Sequence, residues 1–573
     1  MILKSLTKTG IVAVTLCLAI GLSGPVRAHT TVPGDGVAME AGRTIDQAAV
    51  PPSALTHLRL SDRDIATYRK IFAAQRRGDH ASVASLGKQL GDPSLLDWAR
   101  MKKNVPGSVW LPPTVAERPR VYRTLLPRTP KQQDAADNIA LSVALLIRTN
   151  DIKQAGGVIA RASANGTVDR IEAAKLWAML GAAYLYNNEP RMALALNHTA
   201  LQIAGVIVPE AAWNAGLASW MLGEHQRAGL YFAWVPRSPY ANAYMRSAAA
   251  YWTARAMMRT GHYNDVSAWL RESAKHPRSF YGLISTRALG AKFEFNWSVP
   301  AFSTAHLKTL ARYPGAVRAL KLAQTGQMDM ARLELALLDE KAAKQWREAL
   351  AALAVAALKP DAAIQIAALL EHPAGGSVDT ALYPIAPWQP KDGYRLDPAL
   401  INAFIRQESR FKPAAVNKDS GAAGLLQLMP RTALAVDRAT KREQLTNPET
   451  SMMLGQKYLE ELLDRTNGNL FEAAIAYNAG PGNLAIWKDR FADVSDPLLF
   501  IELVPFSETR AYVQRVMANY WIYSLRMGPG AARGVASLDN VAAGQHAQYI
   551  PASNRGSTAI VLGQATESSD SRR

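Results

Sequence analysis

The chain has 573 residues, of which 49% are hydrophobic and 20% charged. That is globular composition with room for several domains, and it excludes a disordered polymer. The net charge of +18 favours acidic partners, yet the Lys and Arg residues are dispersed, so the charge serves solubility equally well.

Lys4 and Lys8 precede an apolar run from Gly10 to Leu22, and Val26-Arg27-Ala28 offers a cleavage site before His29. This pattern predicts a secretory signal peptide over residues 1–28. The run is short for a membrane span, with an uncleaved anchor as the alternative. Leu16 stands before Cys17, where lipid attachment wants a small residue. Cleavage removes that cysteine, the only one in the chain. Disulfides, thiolate metal sites and cysteine catalysis are then excluded from the mature protein. No other stretch reads as a membrane span. The expected export makes nucleic acid an unsuitable partner.

Residues 29–54 are rich in Gly, Pro, Ala and Thr and read as a flexible lead-in. From 55 to 370, Ala, Leu, Trp and Tyr recur at helical spacing. Asn150, Asn188, Gly223 and Gly261 mark turns between successive helices about 35–38 residues apart, and Gly78 and Gly326 mark further copies. Helical hairpins at this period predict a tetratricopeptide-like α-superhelix. Trp213, Trp220, Trp234, Trp252 and Trp269 read as packing between repeats, with ligand binding as the rival reading. Residues 371–396 hold several Pro and Gly residues and read as a linker, with a domain boundary near 380. A compact helical domain follows over 397–527. Residues 528–573 turn to Gly, Ala, Ser and Asn and read as a disordered tail. Strand signals are weak, so the fold class is all-α.

Within the last domain, Asp397 is a good N-cap and Pro398 suits the first turn of a helix. Ile401, Phe404, Ile405 and Glu408 fall at i, i+3, i+4 and i+7 and share one face. The helix should end near Arg410, before Pro413. Glu408 thus takes an apolar position in the last turn. Burial and the negative helix end both disfavour its charged form, which suits a general acid. A glutamate that merely reaches out to water is the plain alternative. Downstream lie Gly424-Leu425-Leu426-Gln427-Leu428-Met429, then Ala476-Tyr477-Asn478-Ala479-Gly480, then Glu508-Thr509-Arg510-Ala511-Tyr512. Ser507 could cap the last of these helices, and Glu508 and Tyr512 share a face. Each segment alone is an ordinary turn or cap.

Together and in this order they resemble the soluble lytic murein transglycosylases. That family's pattern runs E-S, G-L-M-Q, A-Y-N-A-G and E-T-R-x-Y. Here Leu426 replaces the Met, a change that conserves volume, and Asn417 stands where Ser is usual. Phe280-Tyr281-Gly282-Leu283, closing an Ala-rich helical region, is similar to the large soluble members. The resemblance implies an α-superhelical domain followed by a lysozyme-like helical catalytic domain. It implies cleavage of the β-1,4 bond between N-acetylmuramic acid and N-acetylglucosamine in peptidoglycan glycan strands, leaving a 1,6-anhydro end. Glu408 would be acid and then base. Gln427, Met429, Tyr477, Asn478, Glu508 and Tyr512 would bind substrate. A hydrolase using Glu408 and Glu508, or a binding scaffold without activity, are the alternatives. HExxH and GxxxxGK[ST] are absent from the sequence, and neither a metal nor another cofactor is expected.

Overall fold

The computed structural model describes residue 55 and residues 57–100, 129–298, 301–338, 343–357, 359–370, 378–528 and 532–549. The expected signal peptide and lead-in lie outside the described residues. The described residues form helices, with isolated bridges as their only extended pairings. None of these helices is long and apolar enough to cross a membrane. The chain divides into two compact units.

Hairpins dominate the first unit. Asp62–Arg77 (α1) pairs with His80–Gly87 (α2), and Pro130–Arg148 (α3) with Ile152–Ala164 (α4). Arg170–Tyr186 (α5) precedes Pro190–Ala204 (α6), Pro209–Met221 (α7) packs on His225–Trp234 (α8), and Ala243–Arg259 (α9) on Tyr263–Ala274 (α10). After Phe280–Ala288 (α11), Pro314–Gln324 (α12) pairs with Met328–Ala336 (α13). All six turn residues read from the sequence, Gly78, Asn150, Asn188, Gly223, Gly261 and Gly326, adopt positive φ between 62° and 84°. The left-handed turn is the reason only Gly and Asn recur there.

Successive hairpins pack through α6 on α7 and α8 on α9. Trp220 of α7 and Trp252 of α9 are buried and meet edge to face at 4.9 Å. Trp252 also donates from its indole nitrogen to the Tyr281 hydroxyl of α11 at 3.1 Å. Trp213 and Trp269 are half-buried, whereas Trp234 is 42% exposed and departs from the core reading.

The predicted linker is not loose where it is described. Asp379 is fully buried. Its Oδ1 accepts from the Arg278 guanidinium at 2.7 Å, and its Oδ2 from the Asn296 amide at 2.7 Å. A buried carboxylate needs such complete pairing, and it fixes residues 378–383 in the first unit. The division between units falls at Pro387–Trp388, not near 380. Residues 393–395 are held in the second unit by Gln456, which accepts from the Arg395 amide and donates to the Gly393 carbonyl.

The second unit contains Pro398–Glu408 (α14), Pro430–Val436 (α15), Pro448–Arg465 (α16), Leu470–Ala479 (α17), Pro481–Arg490 (α18), Pro497–Leu503 (α19) and Ser507–Met527 (α20). The predicted disordered tail fails over 532–549. Ala532–Ala542 (α21) packs on α20. Beyond it, the Ala547 carbonyl accepts from the Leu470 amide at 2.9 Å, and Gly468 accepts from the Tyr549 amide at 2.8 Å. The Gly- and Ser-rich composition concealed two buried apolar anchors, Leu538 and Val541. Residues 550–573 lie outside the described set.

Candidate active site

The helix α14 is buried within the second unit. Asp397 is its N-cap, as the sequence predicts, accepting from the Ala399 amide at 2.9 Å, with Pro398 in the first turn. All seven residues from Ala399 to Ile405 are buried, so the helix is enclosed more completely than an amphipathic stripe implies. It packs mainly on α20. It ends at Glu408, two residues before the predicted end. Arg410 and Phe411 then take φ of 50° and 61°. Two successive left-handed residues stop the helix before Pro413. Ser409 donates its hydroxyl to the Ile405 carbonyl at 3.2 Å, filling one of the acceptors left open at a helix end.

Glu408 sits among aromatic rings. Phe404, one turn earlier, meets Tyr477 of α17 edge to face at 4.9 Å and Tyr512 of α20 at 6.3 Å. The Tyr512 hydroxyl donates to Glu408 Oε1 at 2.6 Å. Burial pushes the Glu408 carboxyl up to about 7. The Tyr512 hydrogen bond opposes this by favouring the anion, and the negative charge of Glu508 adds a smaller upward push. Burial, with the nearby Glu408 charge, raises both Tyr477 and Tyr512 well above the ordinary phenol range. Both therefore stay protonated and act as donors.

Gly424-Leu425-Leu426-Gln427 forms a tight loop. Gly424 has φ of 84°, and a Cβ there would lie 1.9 Å from the Leu445 carbonyl oxygen. Only glycine fits. Gln427 also has positive φ, at 46°. Its side-chain nitrogen donates to the carbonyls of Gly424 at 2.8 Å and Ala415 at 3.0 Å. Tyr477 donates its hydroxyl to the Leu426 carbonyl at 2.7 Å, tying α17 to the same loop. The Leu426 side chain lies against Gly455 of α16, where a Cβ would come within 2.2 Å of it. Asn417 accepts from the amides of Asp419 and Ser420 and shapes the preceding turn.

The expected binding residues fall into two groups. Tyr477 and Tyr512 surround Phe404 beside Glu408, and Glu508 is close enough to act on Glu408 through its charge, though its side chain is exposed. Asn478 is exposed at the end of α17, and its Oδ1 accepts from the Thr509 hydroxyl at 2.7 Å. Gln427 and Met429 belong to the loop, Met429 as the N-cap of α15 with its side chain 41% exposed. Ser507 is not the cap of α20. It is the first helical residue, after Phe506. Sequence reasoning missed Thr509, although the Thr of E-T-R marked it as a side chain beside a proposed ligand. It also missed Ser451, whose hydroxyl accepts from the Leu426 amide at 3.4 Å. Nothing local in the sequence marks that contact. Among the described residues no three His, Cys, Asp or Glu side chains gather to hold a metal ion.

Residues 387–499 match the family model of the transglycosylase SLT domain, and residues 503–531 that of the soluble lytic transglycosylase helical domain. The chain is 28% identical over 320 residues to the soluble lytic murein transglycosylase of Escherichia coli K12, which covers 54% of this chain and 48% of that protein. It spans about half the length of the curated relatives it matches over 320 residues. Its fold is similar to that of an inactive mutant of the lytic transglycosylase Slt from Pseudomonas aeruginosa, with TM-score 0.53, 22% identity, and 81% and 74% of the two chains covered. The 70 kDa soluble lytic transglycosylase of Escherichia coli gives TM-score 0.51 at 21% identity, covering 82% of this chain and 73% of that one. Residues 387–499 therefore carry the transglycosylase SLT domain, and the fold of the chain is similar to that of the soluble lytic transglycosylases.

Proposed function

We propose that this protein is a lytic transglycosylase that cleaves the β-1,4 bond between N-acetylmuramic acid and N-acetylglucosamine of peptidoglycan. One observation carries the reading. Glu408 ends a buried helix with its carboxyl pushed up to about 7 and held by Tyr512 at 2.6 Å. A carboxyl with that value is an acid and a base at the same working pH. Protonated Glu408 donates to the glycosidic oxygen as its bond to muramyl C1 breaks. The resulting carboxylate, steadied by the Tyr512 hydroxyl, takes the proton of the muramyl C6 hydroxyl. Oxygen O6 then bonds to C1. The proton count closes with no water consumed, and the product end is a 1,6-anhydro sugar.

Ordinary glycosidases use two carboxyl groups. Glu508 is the available second one, but it is exposed, and its charge is the smallest of the three influences on Glu408. In our reading Glu508 and Asn478 bind sugar at the cleft rim, while Gln427 and Tyr477 hold the loop that Met429 closes. The substrate places the protein in the periplasm, reached through the expected signal peptide.

Paired variants test the assignment. Glu408→Gln should lower muropeptide release from purified sacculi about a thousandfold or more, while Glu508→Gln should lower it about tenfold or less. Equal losses would replace this reading with a two-carboxylate hydrolase.

A further inference from the structure

An open pocket lies in the first unit, at the turn ends of the α7–α8 and α9–α10 hairpins. It has a volume of about 460 Å³ and is lined by Gly223, Glu224, His225, Gln226, Arg227, Arg259 and Thr260. That volume falls in the range of small-molecule sites. Its charge is unbalanced. Glu224 is the only acid in the lining and is paired with Arg227 at 3.1 Å. Arg259 is exposed and has no carboxylate partner among the described residues. His225 lies on the Trp220 ring at 4.6 Å, and its Nδ1 is buried without a hydrogen-bond partner. Behind it, the Arg255 guanidinium stacks on Trp252 at 4.6 Å and on Trp220 at 5.0 Å. Burial pushes the His225 imidazole down, and the charges of Arg259 and Arg255 push the same way, as expected where positive field is uncompensated. The N-terminus of α8, which begins at His225 without a side-chain cap, adds the same sign.

We propose that this cavity binds carboxylate groups of the acidic peptides borne by murein, a recognition site separate from Glu408. Arg259 offers its planar fork to a carboxylate, as guanidinium groups do. Arg227, released in part from Glu224, and Gln226 supply further donors. The His225 ring, backed by the buried Trp220, faces the peptide's aliphatic part. The inference deepens the function proposed above and rests on it for the identity of the ligand.

Calorimetric titration of the full chain tests it, with the free acidic stem peptide, the same peptide with its carboxyl groups amidated, and inorganic phosphate as probes. The acidic peptide should bind, the amidated one should not, and Arg259→Ala should weaken binding about tenfold. Arg259→Ala should leave thermal unfolding unchanged, since its side chain is exposed, and should leave cleavage of peptide-free glycan strands unchanged. Absence of peptide binding, equal binding by Arg259→Ala, or phosphate binding as tight as the peptide's would each overturn the proposal. Loss of the site with cleavage intact defeats this inference alone. Peptide binding without cleavage by the unmodified protein defeats the reading of Glu408 alone.

Discussion

The Tyr512 hydroxyl donates to Glu408 Oε1 at 2.6 Å across 104 positions of sequence. The bond joins the end of α14 to the second turn of α20. It selects for the anion, while burial selects for the acid. Tyr512→Phe removes the first influence and keeps the ring. The Glu408 carboxyl should therefore rise further, and the alkaline limb of the pH–rate profile should move to higher pH. Activity at neutral pH should fall about tenfold through loss of the donor to the intermediate carboxylate. An unshifted limb would contradict the assignment of that limb to Glu408.

Glu408 also makes a testable contribution to stability. Its carboxyl is raised from the ordinary 4.5 to about 7 on folding. Between those values the folded state holds more protons than the unfolded state, so stability falls as pH rises through the window. The full shift would correspond to about 3 kcal/mol, reduced by the water that reaches the half-buried side chain. Glu408→Gln keeps an acceptor for Tyr512 without the charge. The variant should match the unmodified protein at pH 4 and exceed its stability at pH 8 by about 1–3 kcal/mol. Chemical denaturation at the two pH values measures this, and equal stability at both would refute it.

Two glycines separate crowding from backbone conformation. Gly424 and Gly480 both have φ near 85–90°. At Gly424 a Cβ would strike the Leu445 carbonyl at 1.9 Å and the Ser451 hydroxyl at 2.4 Å, whereas at Gly480 no atom lies within 4 Å. Gly424→Ala should cost about 3 kcal/mol or more and disable the loop that holds Gln427. Gly480→Ala should cost about 1–3 kcal/mol, the backbone penalty alone, because φ of 89° with ψ of 150° is a conformation essentially only glycine adopts. Melting curves of the two variants compare them, and similar losses would mean that the contact at Leu445 does not matter.

Much of this site was legible in the sequence because its parts are local. The Asp397 cap, the apolar positions Ile401, Phe404 and Ile405, and the Glu408 interruption all lie within one short helix. The hairpin turns were legible for the same reason, since each demands Gly or Asn at a left-handed position. What stayed hidden depends on distant partners. Asp379 looked like part of a linker because Arg278, which pairs with it, lies 101 positions earlier. The bonds from Gln427 and Tyr477 to the Ala415 and Leu426 carbonyls stayed hidden as well, because their acceptors are backbone atoms, which motifs do not spell out.

Tyr549 shows the same limit at the other end of the chain. Its hydroxyl accepts from the Asp397 backbone amide at 3.0 Å, while Tyr520 donates to the Asp397 carboxylate at 3.0 Å. The segment after α21 thus helps fix the start of the helix that carries Glu408. Tyr549→Leu leaves the buried Asp397 amide without its acceptor and should cost about 1–3 kcal/mol. Truncation after Gly528 should cost more, because Leu538 and Val541 also leave the core. Thermal unfolding of both variants reads the effect, and an unchanged midpoint would return this segment to a dispensable tail.

The central claim is that one carboxyl, Glu408, serves as acid and base without adding water. Mass spectrometry of the muropeptides released from purified sacculi tests it most directly. Products ending in 1,6-anhydromuramic acid, absent with Glu408→Gln, are the predicted result. Reducing-end products heavier by one water would contradict it.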